Sequence, residues 1–349
     1  MNSRLYTLDY LRGLSAFGIM VYHFLYWLQG PFSANQFLGR VGVYGVALFY
    51  VLSGLTLYHV YDYANIGHEF SWSTFFKKRF YRIFPLLWLA TICAIILSRK
   101  QPNPLDLLLN LTGMFGFIRW DVTFTTGAWS IGNELVFYTV FPLILYACIR
   151  RHLLLVALVL SAAALHHYFG FHVLDTNNTL ADQWHDYVNP LNQIFFFIAG
   201  CVIGFLTKQH NLSNALSASI LFIGLAIFVI TPAVGNNICL VTGWNRWIFT
   251  TACLLICLGA YKLKAPLPGK LHSALKLLGE SSYSVYLLHG LVFSVWAFLL
   301  NRLSQLGFEI HIWVKAIVPI TLTLILSYFV YTYFEIFFMK MGKSSLPSK

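Results

Sequence analysis

The sequence predicts an all-α fold: a polytopic membrane bundle of about ten transmembrane helices with one re-entrant or interfacial segment. Three observations carry that prediction. Hydrophobic residues make up 58% of the 349 residues and charged ones only 10%, with a mean hydropathy of +0.68; a soluble domain carries about 25% charged residues. The apolar residues form runs of span length separated by short polar stretches. Lysine and arginine gather at the ends of those runs, as the positive-inside bias of membrane proteins requires.

Spans are expected at about 13–30, 41–61, 83–98, 129–149, 153–169, 191–206, 212–231, 245–261, 280–300 and 313–339. Ten crossings return the chain to the side on which it began. With the N-terminus inside, the inner flanks hold Arg4, Arg12, Lys77, Lys78, Arg79, Arg82, Arg150, Arg151, Lys208, Lys262, Lys264, Lys270, Lys276, Lys340, Lys343 and Lys349. Arg40, Arg99, Lys100, Arg119, Arg246, Arg302 and Lys315 fall outside. Sixteen against seven accounts for all 23 basic residues and predicts that both termini are cytoplasmic. Residues 104–118 are too short and too glycine-containing for a span, hence the re-entrant or interfacial reading. Pro85 is tolerated in the first turn of the third span. The polar stretch around 170–190, with Asp175, Asp182 and Asp186, forms the largest outer loop.

The start lacks the short apolar core and small-residue cleavage site of a signal peptide, so no cleavage is expected. No appended soluble domain and no fixed-period repeat is expected either. The net charge of +11 is assigned to topology and an anionic substrate; nucleic acid is not an expected partner. Six cysteines, mostly inside apolar runs, read as structural thiols, and no His/Cys cluster suggests a metal.

Chemistry is concentrated in ionisable residues inside apolar runs, which are costly there and usually face a protein interior or a watery cavity. Arg12 and His23 are eleven residues apart. Eleven steps of about 100° come within about 20° of three whole turns, so both project from one helix face about 16 Å apart. That places an arginine near one membrane surface in line with an imidazole near mid-depth. A neutral imidazole is the usual group for taking a proton from a hydroxyl. Arg79 and Arg82, at i and i+3 in FFKKRFYRIFPLLW, share a face and suit a phosphate clamp, with membrane anchoring as the plainer alternative. Glu134, in TTGAWSIGNELVFY, descends to a depth at which it could meet His23 and orient its ring; a structural ion pair with an arginine competes. His289, in LGESSYSVYLLHGLV, is again well inside the membrane, with Ser282, Tyr283 and Tyr286 as polar lining. Ser53 and Gly54, in FYVLSGL, suit close helix approach or backbone contact to a ligand. His166, His167, His172, His185 and His311 are expected at the outer interface, and Glu335 is read as structural.

With these residues assembled, the chain resembles the acyltransferase-3 family of bacterial integral-membrane acyltransferases, which decorate cell-surface glycans. The resemblance rests on LDYLRG with the Arg12-to-His23 spacing, FYVLSG, Arg79/Arg82 followed by IFP and Trp88, WSIGNE ending at Glu134, and SYSVYLLH ending at His289, in that order. Ala128 before Trp129 and Ile131 after Ser130 depart mildly from the family's usual Gly and Leu. The resemblance implies one membrane domain over 1–349 in the bacterial inner membrane, and an acyl-CoA donor, acetyl-CoA by default, taken from the cytoplasm. It also implies transfer to a sugar hydroxyl of a glycan or lipid-linked precursor. The expected site comprises His23 and Glu134 for catalysis, and Arg12, Arg79, Arg82 and Ser53 against the donor. Trp129, Ser130, Asn133, Tyr283 and His289 are assigned to the acceptor. Direct transfer is preferred to an acyl-histidine relay. A proton-coupled transporter of an anion or glycan intermediate is the main rival, and a sensory or scaffold protein fits the intramembrane charges poorly. Membrane lipids are expected partners and a homodimer is compatible with the sequence.

Overall fold

The computed structural model describes residues 5–61, 71–264 and 267–343; Arg4 and Lys349 of the charge count lie outside them. Among the described residues every regular element is helical. Seven helices among these residues, beginning at Phe37, Trp72, Ala128, His152, Trp184, Ser282 and Ile312, are long and apolar enough to cross a membrane. Three more stand where spans are expected: α1 (Tyr6–Gln29), α8 (Asn214–Ile230) and α9 (Gly243–Lys262). The chain is a multi-pass membrane protein with a helical bundle.

The centre of the bundle is α2 (Phe37–Tyr61), which packs against α1, α5 (Ala128–Arg150), α7 (Pro190–Thr207) and α9. Of its apolar window 72% is buried, against 22% for the last span, Ile312–Met341, which faces outward. Two glycines set how close α2 and α7 come. A Cβ on Gly54 would collide with the Phe197 carbonyl oxygen, and one on Gly200 would collide with that of Val51. Only glycine permits that approach, the small-residue packing that membrane helices use in place of a hydrophobic driving force. The expectation for FYVLSGL is met here by helix approach. The short α10 (Gly269–Glu280) packs against α1 in the same manner, with Gly279 set against the Asp9 backbone.

The third span begins well before the hydropathy reading places it. α3 runs Trp72–Ser98, started by Ser71, whose hydroxyl accepts from the Thr74 N–H. Pro85 is therefore inside the helix rather than in its first turn. After α3, α4 (Pro104–Thr112) is capped by Asn103 and ended by Gly113 at a positive φ of 76°. Its 9 residues rise only about 14 Å, so the segment cannot cross. It folds back through a turn at Phe115–Ile118, and Arg119 closes onto Asp106 at 2.6 Å. The polar stretch after α6 (His152–Tyr168) is ordered by its own side chains. Hydrogen bonds from the Asn177 backbone and side chain hold the Asp175 carboxyl below the usual carboxylate range, and the Thr179 hydroxyl and backbone do the same for Asp182.

Two basic residues counted as outer flanks are structural groups inside the fold. Arg40, 1% exposed, donates to the carbonyls of Phe228 (2.7 Å), Val229 (2.6 Å) and Thr231 (2.7 Å), which end α8. These are carbonyls that a helix C-terminus otherwise leaves unpaired. Arg246 is also buried, 3.0 Å from His166 Nδ1 and within hydrogen-bond distance of the Asn192 side chain. His166 thus departs from the interfacial expectation: it is fully buried, with Nε2 3.1 Å from Thr250 Oγ1. The two groups satisfy each other's hydrogen-bonding needs away from water, as buried polar side chains require.

Candidate active site

Two neighbouring constellations contain most of the residues singled out from the sequence. The first is a cavity of about 280 Å³ between α1, α2, α3, α5 and α11 (Ser282–Gln305). Arg12, Arg79, Arg82, Ser53, Ser130, Glu134, Tyr283 and Tyr286 all line it. Arg12 reaches in from α1, anchored by Asp9 Oδ1 (3.3 Å) one helical turn away and by Thr56 Oγ1 (3.3 Å) of α2. The Arg79 guanidinium lies over the rings of Phe75 (5.8 Å) and Tyr138 (5.7 Å), a cation–π arrangement. Its Nε is buried, with no hydrogen-bond partner among the described residues. Arg82 lies within electrostatic range of Arg12, Glu134 and Glu335. Glu134 accepts a 3.1 Å hydrogen bond from Tyr138, whose hydroxyl is also 3.3 Å from Ser53 Oγ. Glu335 is buried and accepts from Ser284. It ends a π-helical turn, Val330–Glu335, within the last span; such turns often occur at functional sites.

The second constellation begins at Tyr286. The Tyr286 hydroxyl donates to the Gly127 carbonyl (3.1 Å) and is 2.9 Å from Ser130 Oγ. Gly127 has a positive φ of 84°, and a Cβ there would meet the Tyr286 ring at 2.7 Å. This corner needs glycine on both counts. The Tyr286 carbonyl faces His289 Nδ1 at 2.6 Å, and His289 Nε2 is 2.9 Å from His23 Nδ1. The two imidazoles are near-parallel, with centroids 4.9 Å apart and planes at 14°, and Trp27 stacks on the His23 ring at 5.3 Å. His23 therefore faces the protein. Neither histidine lines the cavity; Tyr286 joins the two constellations by lining one and hydrogen-bonding the other.

Comparison with known sequences gives the family of the chain. A family model described as an acyltransferase domain, of the acyltransferase-3 type, matches residues 5–332. The chain belongs to the acyltransferase-3 family. O-acetyltransferase OatA of Staphylococcus aureus (strain NCTC 8325 / PS 47) is 22% identical, aligned over 98% of this chain and 59% of that protein. The exopolysaccharide production protein ExoZ of Rhizobium meliloti (strain 1021) is 27% identical over 74% of this chain and 78% of its own length. Protein 2 in the picA locus of Rhizobium radiobacter is 31% identical over 40% of this chain. The chain thus spans about three fifths of the length of the OatA proteins it matches. No solved structure matches it.

Within this acyltransferase-3 chain, four expected site residues, Glu134, His289, Asn133 and Trp129, are placed differently. The ring that meets His23 is His289, while the carboxylate of Glu134 is held by Tyr138 in the cavity. Asn133 is fully buried behind the cavity wall, donating to the Tyr50 hydroxyl (3.2 Å) and the Val188 carbonyl (3.0 Å). Trp129 packs on Trp184 (5.5 Å) and Tyr187 (5.9 Å). Neither of these two lines the cavity. Tyr138 and Thr56 do line it and have no place in the sequence reading. Tyr138 stands at i+4 from Glu134, the spacing at which helical side chains meet, so its role was recoverable. Among the described residues no group of three or more His, Cys, Asp or Glu is arranged to hold a metal.

Proposed function

We propose that this acyltransferase-3 member is an O-acyltransferase. It moves an acyl group, acetyl by default, from acyl-CoA to a sugar hydroxyl of a surface glycan or its lipid-linked precursor. The names of the OatA and ExoZ relatives support the chemistry and the acceptor class. In this reading the protein lies in the bacterial inner membrane with both termini cytoplasmic, and the donor arrives at the Arg12 end.

One observation carries the donor assignment: a cavity lined by three guanidiniums, one of which has a buried N–H with no acceptor among the described residues. An oxyanion such as a phosphate supplies the missing acceptor, and guanidiniums bind it by charge-assisted hydrogen bonds. The volume, about 280 Å³, is at the lower edge of small-molecule sites and suits the pantetheine arm with an adjoining phosphate rather than the whole coenzyme. His23 then acts as general base. Its imidazole takes the acceptor hydroxyl's proton as the oxygen bonds to the acyl carbon; the carbon–sulfur bond breaks, and the proton passes to the departing sulfur. Acyl group, proton and electron pairs balance without a further reactant. Glu134, Tyr138 and Ser53 hold the polar cavity wall beside Arg82.

The test is transfer from labelled acetyl-CoA to candidate glycans by purified protein without a membrane gradient. His23→Ala should lose about 10²–10⁴-fold in kcat, the usual general-base contribution, while binding CoA as before. Wild-type turnover by that variant removes His23 from the mechanism. Solute movement with no acyl transfer from the wild type favours a transporter instead.

A further inference from the structure

We infer that His289 is a positioning residue that fixes which nitrogen of His23 is free to take the acceptor's proton. The inference rests on the reading of His23 as general base and adds the group that makes it one. The starting point is the Tyr286 carbonyl, which can only accept. Since it lies 2.6 Å from His289 Nδ1, that nitrogen must carry a hydrogen. A neutral imidazole has one N–H, so His289 Nε2 carries a lone pair. It faces His23 Nδ1 at 2.9 Å, and His23 Nδ1 is therefore the donor. The single hydrogen of neutral His23 is thereby placed on Nδ1, and Nε2 is left with the lone pair a base requires. The chain from backbone carbonyl to the two rings runs in one direction.

Orientation is fixed together with the tautomer. Trp27 stacks on His23 from one side with planes 16° apart, Phe24 lies against the His289 ring, and Phe293 packs on Trp27 and Phe24. Rotation of the fully buried His289 ring would strand its nitrogens away from the Tyr286 carbonyl and His23. In a serine-protease triad this task belongs to a carboxylate. Among the described residues the ion pair between a histidine and a carboxylate is that of His185 with Asp121, and neither His23 nor His289 takes part in one. A neutral ring fills the carboxylate's place. When His23 Nε2 accepts the hydroxyl proton, its Nδ1–H stays directed at His289, the bond becomes charge-assisted, and the single positive charge is shared across two near-parallel rings joined by that bond.

The experiment pairs a spectroscopic readout with a rescue. In the full-length protein labelled with ¹⁵N-histidine, the His23 signals are identified by their loss in His23→Gln. Wild-type protein, observed where the pair is neutral, should show the hydrogen on Nδ1. In His289→Leu the population should shift towards the Nε2–H tautomer. A wild-type His23 with its hydrogen on Nε2, or a tautomer unmoved by His289→Leu, overturns the inference without reference to catalysis. In acetyl transfer, His289→Leu should lose about 10²-fold or more in kcat with CoA affinity retained. His289→Gln, whose amide can both donate to the Tyr286 carbonyl and accept from His23, should recover to within about tenfold of wild type. Equal losses in folded Leu and Gln variants, or a fully active Leu variant, also overturn it. An active His23→Ala protein instead defeats the general-base reading, while the ¹⁵N measurement still decides what sets the tautomer.

Discussion

Arg79→Ala is the sharpest perturbation of the proposed donor site. Its guanidinium has one set of contacts and one unmet donor. The rings of Phe75 at 5.8 Å and Tyr138 at 5.7 Å hold it in place. A cation–π contact of this kind contributes about 0.5–1 kcal/mol. The buried Nε–H is without an acceptor among the described residues. A hydrogen bond to a charged group contributes about 1.5–3 kcal/mol, and about 1.4 kcal/mol is a factor of ten, so losing one bond to a phosphate raises Kd by about 10- to 150-fold. Arg79→Lys keeps the charge and loses the planar fork, and should fall between the two. The assay is calorimetric titration of CoA, and separately of pantetheine without phosphates, into protein in lipid nanodiscs. The ratio of the two affinities should collapse in Arg79→Ala and pantetheine binding should stay constant. Unchanged CoA affinity, or an equal loss for both ligands, refutes the phosphate assignment. Arg82 gives an internal contrast. It stands among Glu134 and Glu335 as well as Arg12, so its removal should lower thermal stability as well as affinity. Glu335→Gln in the same chain should recover part of that stability.

Two further substitutions address the scaffold. Gly54→Val must push its side chain into the Phe197 carbonyl. Overpacking of this kind costs about 1–3 kcal/mol or more, so a lower unfolding temperature is expected; Ser53 should be displaced with it, weakening donor binding. An unchanged unfolding temperature would show that α2 and α7 can separate cheaply. Arg40→Met strands the carbonyls of Phe228, Val229 and Thr231. It should destabilise by several kcal/mol, on the basis of about 1–3 kcal/mol for each buried group left unsatisfied. Near-native stability in that variant would mean that water caps the helix equally well.

Each of the ten expected spans falls on a helix, because bilayer thickness forces long apolar runs and hydropathy finds them whatever the tertiary contacts. The start of α3 was missed because Lys77, Lys78, Arg79 and Arg82 lower the local hydropathy, although Ser71 is a readable cap and the helix continues through them. In the site, Arg12, Arg79, Arg82, Glu134 and Ser53 were found because charge and hydroxyl inside apolar sequence are conspicuous, and all five line one cavity. The partner of His23 was not legible. Helical periodicity tells which residues share a face, but which helix supplies the neighbour depends on packing, and α11 rather than α5 presents the ring. Asn133 and Trp129 illustrate the same limit, since their polar character is as well explained by Tyr50, Val188 and Trp184 as by a substrate.

The Arg40 cap has a consequence for the lipid around the protein. α8 has 17 residues and stops where Arg40 takes up its last carbonyls. Such a rod is about 26 Å long, against a hydrocarbon layer of about 30 Å. Phe222, Ile223, Val229 and Ile230 on that helix are exposed, so acyl chains meet it directly. Lipids along this flank must tilt or compress by a few ångströms to match its length. A rod of that length favours a locally thinner bilayer beside α8, with headgroups drawn towards the midplane there.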